Sequence, residues 1–176
     1  TRGSWISGEN PASSEDLEAG RSACPGGHRG PWYARRSVHR RDLAFYEADG
    51  RWRIIAFSNP EDPTASLSAI WKLADFQEKA SESPIRKYTP AGGDVDSVIE
   101  FLVVFQQGSR DINMQDVHAF MSPPKGAYRL RDYNKLFCPD LDNGDDIFDK
   151  RGIDREGCIV ITRPDQHVAS VIPLDG

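Results

Sequence analysis

GCIVITRPDQHVASVIPLDG, residues 157–176, is the stretch that decides the fold. Two short runs rich in Val and Ile, at residues 158–161 and 168–172, flank an Arg-Pro-Asp turn. Runs of β-branched residues around a turn of this kind are typical of an antiparallel hairpin. The end of the chain therefore predicts two neighbouring antiparallel strands.

Two further apolar runs lie upstream of this hairpin. Residues 51–57 read RWRIIAF and residues 98–105 read VIEFLVVF. Both have the length of a strand, and the second is apolar almost throughout, as strands are when both faces of their sheet are covered. They predict two buried strands separated by a crossover segment.

A helix is predicted in the crossover, over residues 64–80. Asp62 followed by Pro63 is a helix-start pattern, because the carboxylate can accept from the first N–H groups and proline has no N–H to leave unpaired. Apolar residues then recur at helical spacing: Leu67, Ile70, Trp71 and Ala74. Trp71 is accordingly expected to pack against Ile55 and Val103 of the two strands.

A βαβ unit followed by an antiparallel hairpin is the order of an α/β, thioredoxin-like fold, with a mixed central sheet flanked by helices. Residues 111–120 are interpreted as a short helix or an irregular segment within the connection. Residues 1–29 mix Gly, Ser, Pro and Glu without a period, which is typical of an arm or linker. The predicted thioredoxin-like domain is therefore residues 30–176.

Composition limits the classes of function. A chain of 176 residues, 38% hydrophobic and 28% charged, is long enough for one domain with a core. A net charge of −5 argues against a nucleic-acid partner, and the basic cluster at residues 35–41 is interpreted as a solvated arm or a patch for an acidic partner. No window approaches the roughly 20 apolar residues of a membrane span. Three widely separated cysteines favour a reduced, cytoplasmic setting over a disulfide framework or a zinc site.

Catalytic, cofactor-binding and metal-binding residues are not expected in this chain. Redox chemistry in this fold needs Cys-x-x-Cys at the start of the crossover helix, but that position reads SNPEDPTASL. Cys138 and Cys158 are interpreted as a loop thiol and a small strand hydrophobe. A flavin enzyme needs Gly-x-Gly-x-x-Gly after a first strand, and the sequence has none. The four histidines have no spacing suited to a metal or a catalytic triad.

An acidic loop invites a calcium site, because hard cations prefer clustered carboxylates. Its carboxylates are Asp140, Asp142, Asp145, Asp146 and Asp149. Aligning Gly144 with the glycine of an EF-hand, however, puts Pro139 where the first acidic ligand belongs. Calcium binding is therefore disfavoured.

Four segments occur in the order found in one known family: GGHRGPW at residues 26–32, DGRWRIIAF at 49–57, KRGID at 150–154 and the terminal hairpin. Through them the chain resembles the C-terminal thioredoxin-like, dimerisation-type domain of the FAD-dependent phenol hydroxylase (phenol 2-monooxygenase) family. The motif residues that the resemblance assigns a structural role are Arg29, Pro31, Gly50, Arg51, Gly152, Ile153, Asp154, Arg163, Pro164 and Asp165. Two departures are Gln166, where the family usually has Gly, and a loose match over residues 110–146.

The resemblance implies a non-catalytic domain of a flavin-dependent aromatic hydroxylase, an oxidoreductase of aromatic compound degradation. Its partners would be the FAD-binding and substrate domains of the same enzyme and a second copy in a homodimer. FAD and NADPH would serve that parent enzyme, with no cofactor in this chain. Arg163 has two interpretations, an ion pair that fixes the hairpin or a contact with the rest of the larger enzyme.

In that family a helix follows the hairpin, so the chain is expected to stop short of it. Apolar side chains at alternate positions of residues 159–161 and 168–172, on the sheet face beneath that helix, should then lack cover. An alternative from another class is a stand-alone thioredoxin-like protein that binds a partner or small ligand without redox activity. An upstream reading frame of several hundred residues with the dinucleotide motif would favour the first interpretation.

Overall fold

A computed structural model describes residues 49–141, 144 and 146–175. The strands are β1 (Trp52–Phe57), β2 (Ile99–Val104), β3 (Pro124–Lys125), β4 (Leu130–Arg131), β5 (Leu136–Phe137), β6 (Cys158–Thr162) and β7 (Val168–Pro173). The helices are α1 (Ala69–Lys79), α2 (Pro84–Tyr88) and α3 (Ile147–Arg151). Residues 1–29, predicted as an arm or linker, lie outside the described residues, and the domain boundary at residue 30 stays a prediction.

Five strands form one mixed sheet in the order β5-β2-β1-β6-β7. β1 pairs with β2 in parallel across the α1 crossover, and β6 runs antiparallel to both β1 and β7. This arrangement confirms the predicted thioredoxin-like order, a βαβ unit followed by an antiparallel hairpin. β3 and β4 form a separate small hairpin in the connection from β2 to β5.

The predicted start of the crossover helix was wrong. α1 begins after Ser68, whose hydroxyl accepts a hydrogen bond from the N–H of Trp71. Asp62 instead accepts from the N–H of Thr64 at 2.9 Å, which closes a local turn. Leu67 consequently lies before the helix and is 77% exposed, so it is not part of the apolar stripe.

Alternation along β1 and β2 divides the core between two faces of the sheet. On one face Ile54, Ala56, Phe101 and Val103 pack with Ile70 and Ala74 of α1. On the other face Ile55, Phe57, Leu102 and Val104 pack with Phe148 of α3. The predicted contact of Trp71 with Ile55 was therefore wrong, because Ile55 lies on the face away from α1.

Residues 111–120, in the connection from β2 to β5, were predicted to be a short helix or an irregular segment, and they are irregular. They contain no α-helix, and their last two residues belong to a short 3-10 helix, Ala119–Met121. The 3-10 helix begins at His118, whose ring nitrogen Nδ1 accepts from the N–H of Phe120 at 3.2 Å. Within the described part of the chain, no helix combines the length and the apolar character needed to cross a membrane.

Gly157 joins the connection to the hairpin at a point where a side chain would clash. Its φ is +84°, and a Cβ there would lie 2.6 Å from the carbonyl oxygen of Phe57. Only glycine fits so close an approach of two backbones. This contact sets where β6 begins beside β1.

Candidate functional site

The structure distributes the predicted motif residues over two ends of the sheet. Gly50 and Arg51 precede β1, and residues 163–165 follow β6, so these two groups lie at the same end because β1 and β6 are antiparallel. Residues 152–154 precede β6 and lie towards the opposite end. Arg29 and Pro31 lie outside the described residues. The motif residues that the structure describes therefore do not form one site.

Arg51 belongs to a group of charged side chains that we call the ionic cluster. Its members are Asp49, Arg51, Arg53, Asp96, Glu100, Lys125, Asp132 and Lys135. They come from the start of β1, the start of β2, the β3–β4 hairpin and the 3-10 turn at Tyr133–Lys135. The cluster lies on the face of the sheet that packs against α3, because Glu100 is two residues before Leu102 and Arg53 two before Ile55, and residues two apart in a strand share a face.

The centre of the ionic cluster is buried. Arg53 and Glu100 are opposite each other in the β1–β2 register, and the Nε of Arg53 lies 3.1 Å from Oε2 of Glu100. Lys135, whose side chain is 2% exposed, places Nζ 2.5 Å from Oδ2 of Asp96 and 3.4 Å from Oε1 of Glu100. Each of these buried charges is thus paired with an opposite one, as burial of charge requires.

The outer members tie the β3–β4 hairpin and the start of β1 to that centre. Lys125 pairs with Asp96 and lies 3.2 Å from Asp132. Arg51 lies 3.3 Å from Glu100 and 2.5 Å from Asp49. The cluster therefore fastens the β3–β4 hairpin and the residues just before β1 to the start of β2.

Electrostatics keep Asp96 ionised. Burial alone would raise the pKa of this carboxyl, but Lys135 and Lys125 outweigh it, so the pKa lies below its usual value. The pKa of Lys125 is raised in turn, because its hydrogen bond and attraction to Asp96 outweigh the effect of burial. A carboxylate held in its charged form in this way is a poor general base near neutral pH, so the cluster is suited to fixing structure.

The sequence carries one signal for the ionic cluster, the two charged residues within its apolar strands. Arg53 and Glu100 interrupt two otherwise apolar strands, and a charge inside a buried strand needs a partner. Their separation of 47 residues, however, hides the pairing until the strands are aligned. Lys135 carries no comparable signal, because its neighbours are those of an ordinary loop.

The Arg-Pro-Asp turn is closed by its own residues. Arg163 Nη2 lies 2.6 Å from Oδ2 of Asp165, and the N–H of Gln166 donates to the carbonyl of Arg163 at 2.9 Å. Gln166 has a φ of +69°, in the left-handed region that glycine prefers. The position where this chain departs from the family's glycine is therefore one whose backbone favours glycine. Arg163 and Asp165 are both exposed.

Residues 152–154 terminate α3. Gly152 is its C-cap, Ile153 is buried in the α3-face core, and Asp154 accepts from the N–H of Glu156. Arg155 then pairs with Asp149 and lies 2.8 Å from Asp146. Two carboxylates of the acidic loop are thus engaged by an arginine, while Asp142 and Asp145 lie outside the described residues.

His118, Asp75 and Glu78 are brought together by folding, which their separate positions in the sequence did not predict. One potential ligand atom of each lies within 4.8 Å of the others. His118 Nδ1 accepts a hydrogen bond from Phe120, so the proton is on Nε2, which faces Asp75 Oδ1 at 3.5 Å. A protonated ring nitrogen cannot ligate a metal, and we interpret the group as a buried histidine donating to a carboxylate.

The N-terminus of α1 is the position at which a βαβ unit could hold the pyrophosphate of FAD. Here Oε2 of Glu61 accepts from the N–H of Ala69 at 3.0 Å. Hydrogen bonds from Asn59 and from Ala69 lower the pKa of Glu61, which keeps this carboxylate charged. A second anion would be repelled, so these residues do not fit a dinucleotide.

The two described thiols are unsuited to nucleophilic chemistry. Cys138 is buried and Cys158 is half-buried, and neither forms a disulfide. Burial, with a smaller contribution from Asp154, raises the pKa of Cys158 to about 11. Since the thiolate is the reactive form, Cys158 is an inert strand residue near neutral pH.

The chain is similar in sequence to a known domain family and to two monooxygenases. The family model described as "Phenol hydroxylase, C-terminal dimerisation domain" matches residues 37–176. Over 130 residues the chain is 44% identical to 3-hydroxybenzoate 4-monooxygenase of Comamonas testosteroni, covering 73% of this chain and 20% of that protein. It is 34% identical over 131 residues to the FAD-dependent monooxygenase terD of Aspergillus terreus, covering 72% of this chain and 21% of that protein. The chain thus spans about a fifth of the length of these relatives.

Proposed function

Because the chain belongs to the phenol hydroxylase C-terminal dimerisation domain family, we propose that it is the non-catalytic C-terminal domain of a flavin-dependent aromatic hydroxylase. Its role is to pack on the FAD-binding and substrate domains of that enzyme and to hold two subunits together. The observation that carries the proposal is the 44% identity to a monooxygenase, in an alignment that covers only 20% of that protein's length. A domain that covers so small a part leaves room for the catalytic domains elsewhere.

The proposed parent enzyme hydroxylates a phenol-type substrate with FAD, and NADPH supplies the electrons. Support for FAD comes from one relative, which is an FAD-dependent monooxygenase, and support for NADPH comes from the family resemblance. Within this chain the supporting chemistry is the engagement of its charged groups with one another. Asp96 and Glu100 are paired with cations. Glu61 occupies the N-terminus of α1, the only long helix among the described residues, where a pyrophosphate would otherwise bind. We also propose a cytoplasmic location, which the unoxidised thiol of Cys158 supports.

Removing residues 37–176 from the enzyme that carries them tests the proposal. We expect a protein that still binds FAD and still oxidises NADPH with substrate, but that sediments as a monomer. Loss of FAD binding together with loss of folded structure would be uninformative about association, so bound flavin and circular dichroism are measured on the same sample. A shortened enzyme that remains dimeric would contradict the proposed role.

The isolated 176-residue chain gives a second test. It should be colourless and should not reduce insulin disulfides, because Cys158 has a raised pKa and Cys138 is buried. A yellow protein with bound flavin, or disulfide reduction abolished by Cys158→Ser, would contradict the proposal.

A further inference from the structure

β7 is the exposed edge of the central sheet. It stands last in the order β5-β2-β1-β6-β7, so one side of its backbone is bonded to β6 and the other side pairs with no strand of the described residues. The strand at the opposite end, β5, is only two residues long and both are buried. The six residues of β7 are therefore the longest open edge in the described sheet.

Apolar side chains of β7 are exposed on both faces of the sheet. Val171 is opposite Val160, whose side chain lies on the α3 face, and Ile172 is opposite Ile159 on the α1 face. Val171 is 45% exposed and Ile172 is 40% exposed. A helix laid on one face would cover only one of them, whereas a strand placed along the edge would contact both. The kind of partner that fits is a strand.

The sequence of β7 lacks the devices that normally protect an edge. Val168–Pro173 reads VASVIP and contains no charged residue, although natural edge strands commonly carry charges that prevent pairing with another chain. Its proline is the last residue, so the missing N–H affects only the end of the strand. An unprotected edge of this length favours pairing over exposure to solvent.

We propose that β7 pairs antiparallel with β7 of a second copy, so that two five-stranded sheets become one continuous sheet across the subunit interface. The inference rests on the proposed role in subunit association and names the surface that performs it. A second copy is the occupant because the chain belongs to a dimerisation-domain family. Identical strands are also self-complementary when paired antiparallel about a two-fold axis, since each offers the same N–H and C=O groups.

Charge placed on the edge tests this surface. Val171→Lys sets two like charges near the two-fold axis and should weaken the dimer by roughly tenfold or more, because like charges on paired strands repel. Leu67→Lys is the matched control, since Leu67 is 77% exposed and lies in the loop before α1, outside the strands of the sheet. Sedimentation velocity over a concentration series of the 176-residue chain measures the dissociation constants.

The outcomes separate the inference from the proposed function. A dimer that dissociates with Val171→Lys but not with Leu67→Lys supports the pairing. A dimer that both variants leave intact overturns the β7 interface and leaves subunit association standing. A wild-type chain that is monomeric at every concentration overturns both.

Cysteine cross-linking gives a second measurement that does not depend on weakening the dimer. Ala169→Cys, Ser170→Cys and Val171→Cys are made singly, and the wild type with its own cysteines is the blank. Paired strands bring the residue at the two-fold axis to a Cα separation of about 4.5–5.5 Å from its copy, within the range of a disulfide. At least one variant should form a covalent dimer on mild oxidation, and a dimeric protein in which none of the three does so would overturn the proposal.

Discussion

β2 and β7 have similarly apolar sequences and opposite surroundings. β2 reads IEFLVV and each of its residues is buried, whereas β7 reads VASVIP and only Ser170 is less than exposed. β2 lies between two strands and is covered by α1 on one face and α3 on the other, while β7 has one neighbour. Position in the sheet, more than composition, therefore decides whether an apolar strand is core or surface.

The charged residues beside the two strands differ in the same way, buried near β2 and exposed near β7. Glu100 in β2 and Lys135 beside it are buried and are satisfied by each other and by Asp96 and Arg53. Arg163 and Asp165 before β7 form an ion pair that is exposed to water. Buried pairs are costly to break, whereas exposed pairs contribute little. The central half of the sheet should thus respond strongly to substitution and the terminal hairpin weakly.

The largest expected effect comes from Lys135→Ala. Removing this cation leaves Asp96 and Glu100 buried without their central partner, which should lower the free energy of unfolding by about 3–5 kcal/mol. Urea denaturation measures it. Lys79→Ala, which breaks an exposed pair with Asp75, is the control and should leave the midpoint unchanged. Equal effects of the two variants would mean that the cluster is solvated.

Ile70→Ala should follow in size. Ile70 is fully buried against the sheet, so its truncation should cost about 2–5 kcal/mol. Trp71→Ala should cost less, because Trp71 is half-buried and its described ring contact is with His118 at a centroid distance of 4.9 Å. The larger loss in Trp71→Ala would restore the sequence-based expectation that Trp71 is the core residue of α1.

These two variants show what the sequence could and could not predict. The strands were predictable because apolar runs of strand length leave few alternatives. The predicted ranges 51–57 and 98–105 differ from β1 and β2 by no more than one residue at either end. The start of α1 was not, because Asp62 and Ser68 are both good caps, and the hydrogen bond from the N–H of Ala69 to Glu61 is visible only in the folded chain. Because the helix was predicted to begin too early, Leu67 was placed in its apolar stripe, whereas it lies before the helix and is exposed.

The candidate sites show a similar division. Short-range groups, such as the Arg163–Asp165 pair, could be anticipated from neighbouring residues. Groups assembled across the fold could not, because Asp96, Lys125 and Lys135 meet only when the β3–β4 hairpin folds back on β2. The uncovered face was also only partly anticipated. Apolar side chains of β7 are exposed, but on both faces of the sheet, at Val171 and Ile172, where one face was expected, and Ile159 of β6 is buried.

A matched pair of valines compares the two strands directly. Val103 in β2 is completely buried and Val171 in β7 is 45% exposed. Val103→Ala should cost about 2 kcal/mol, from roughly 0.8 kcal/mol for each buried carbon removed and a further loss from the cavity. Val171→Ala should change stability by less than about 0.5 kcal/mol when the chain is monomeric. Thermal denaturation at low protein concentration makes the comparison, and similar losses would mean that β7 is already covered.

Acid should weaken the centre of the sheet through Asp96. The pKa of Asp96 is lowered on folding, so its contribution is complete above the unfolded value near 4 and is lost as the pH falls through the lower folded value. The difference in unfolding free energy between wild type and Asp96→Asn should therefore narrow below about pH 4. Urea titrations from pH 7 to pH 3 measure it, with Asp94→Asn as an exposed control. A difference that stays constant over this range would show that folding leaves the pKa of Asp96 unchanged.

The smallest expected effect is a gain, and it lies in the terminal hairpin. Gln166 adopts a φ of +69°, a conformation that costs a residue with a side chain about 1 kcal/mol or more. Gln166→Gly should relieve that cost but add entropy to the unfolded chain, for a net gain of roughly 0.5 kcal/mol. Asn tolerates the left-handed region better than most residues and a β-branched residue tolerates it worst, so stability should rank Gly, then Asn, then Gln, then Val at this position. Denaturation midpoints of the four proteins give the ranking. A Val variant as stable as the Gly variant would show that the turn changes shape freely, and a hairpin so easily altered could not fix the register of β7 on β6.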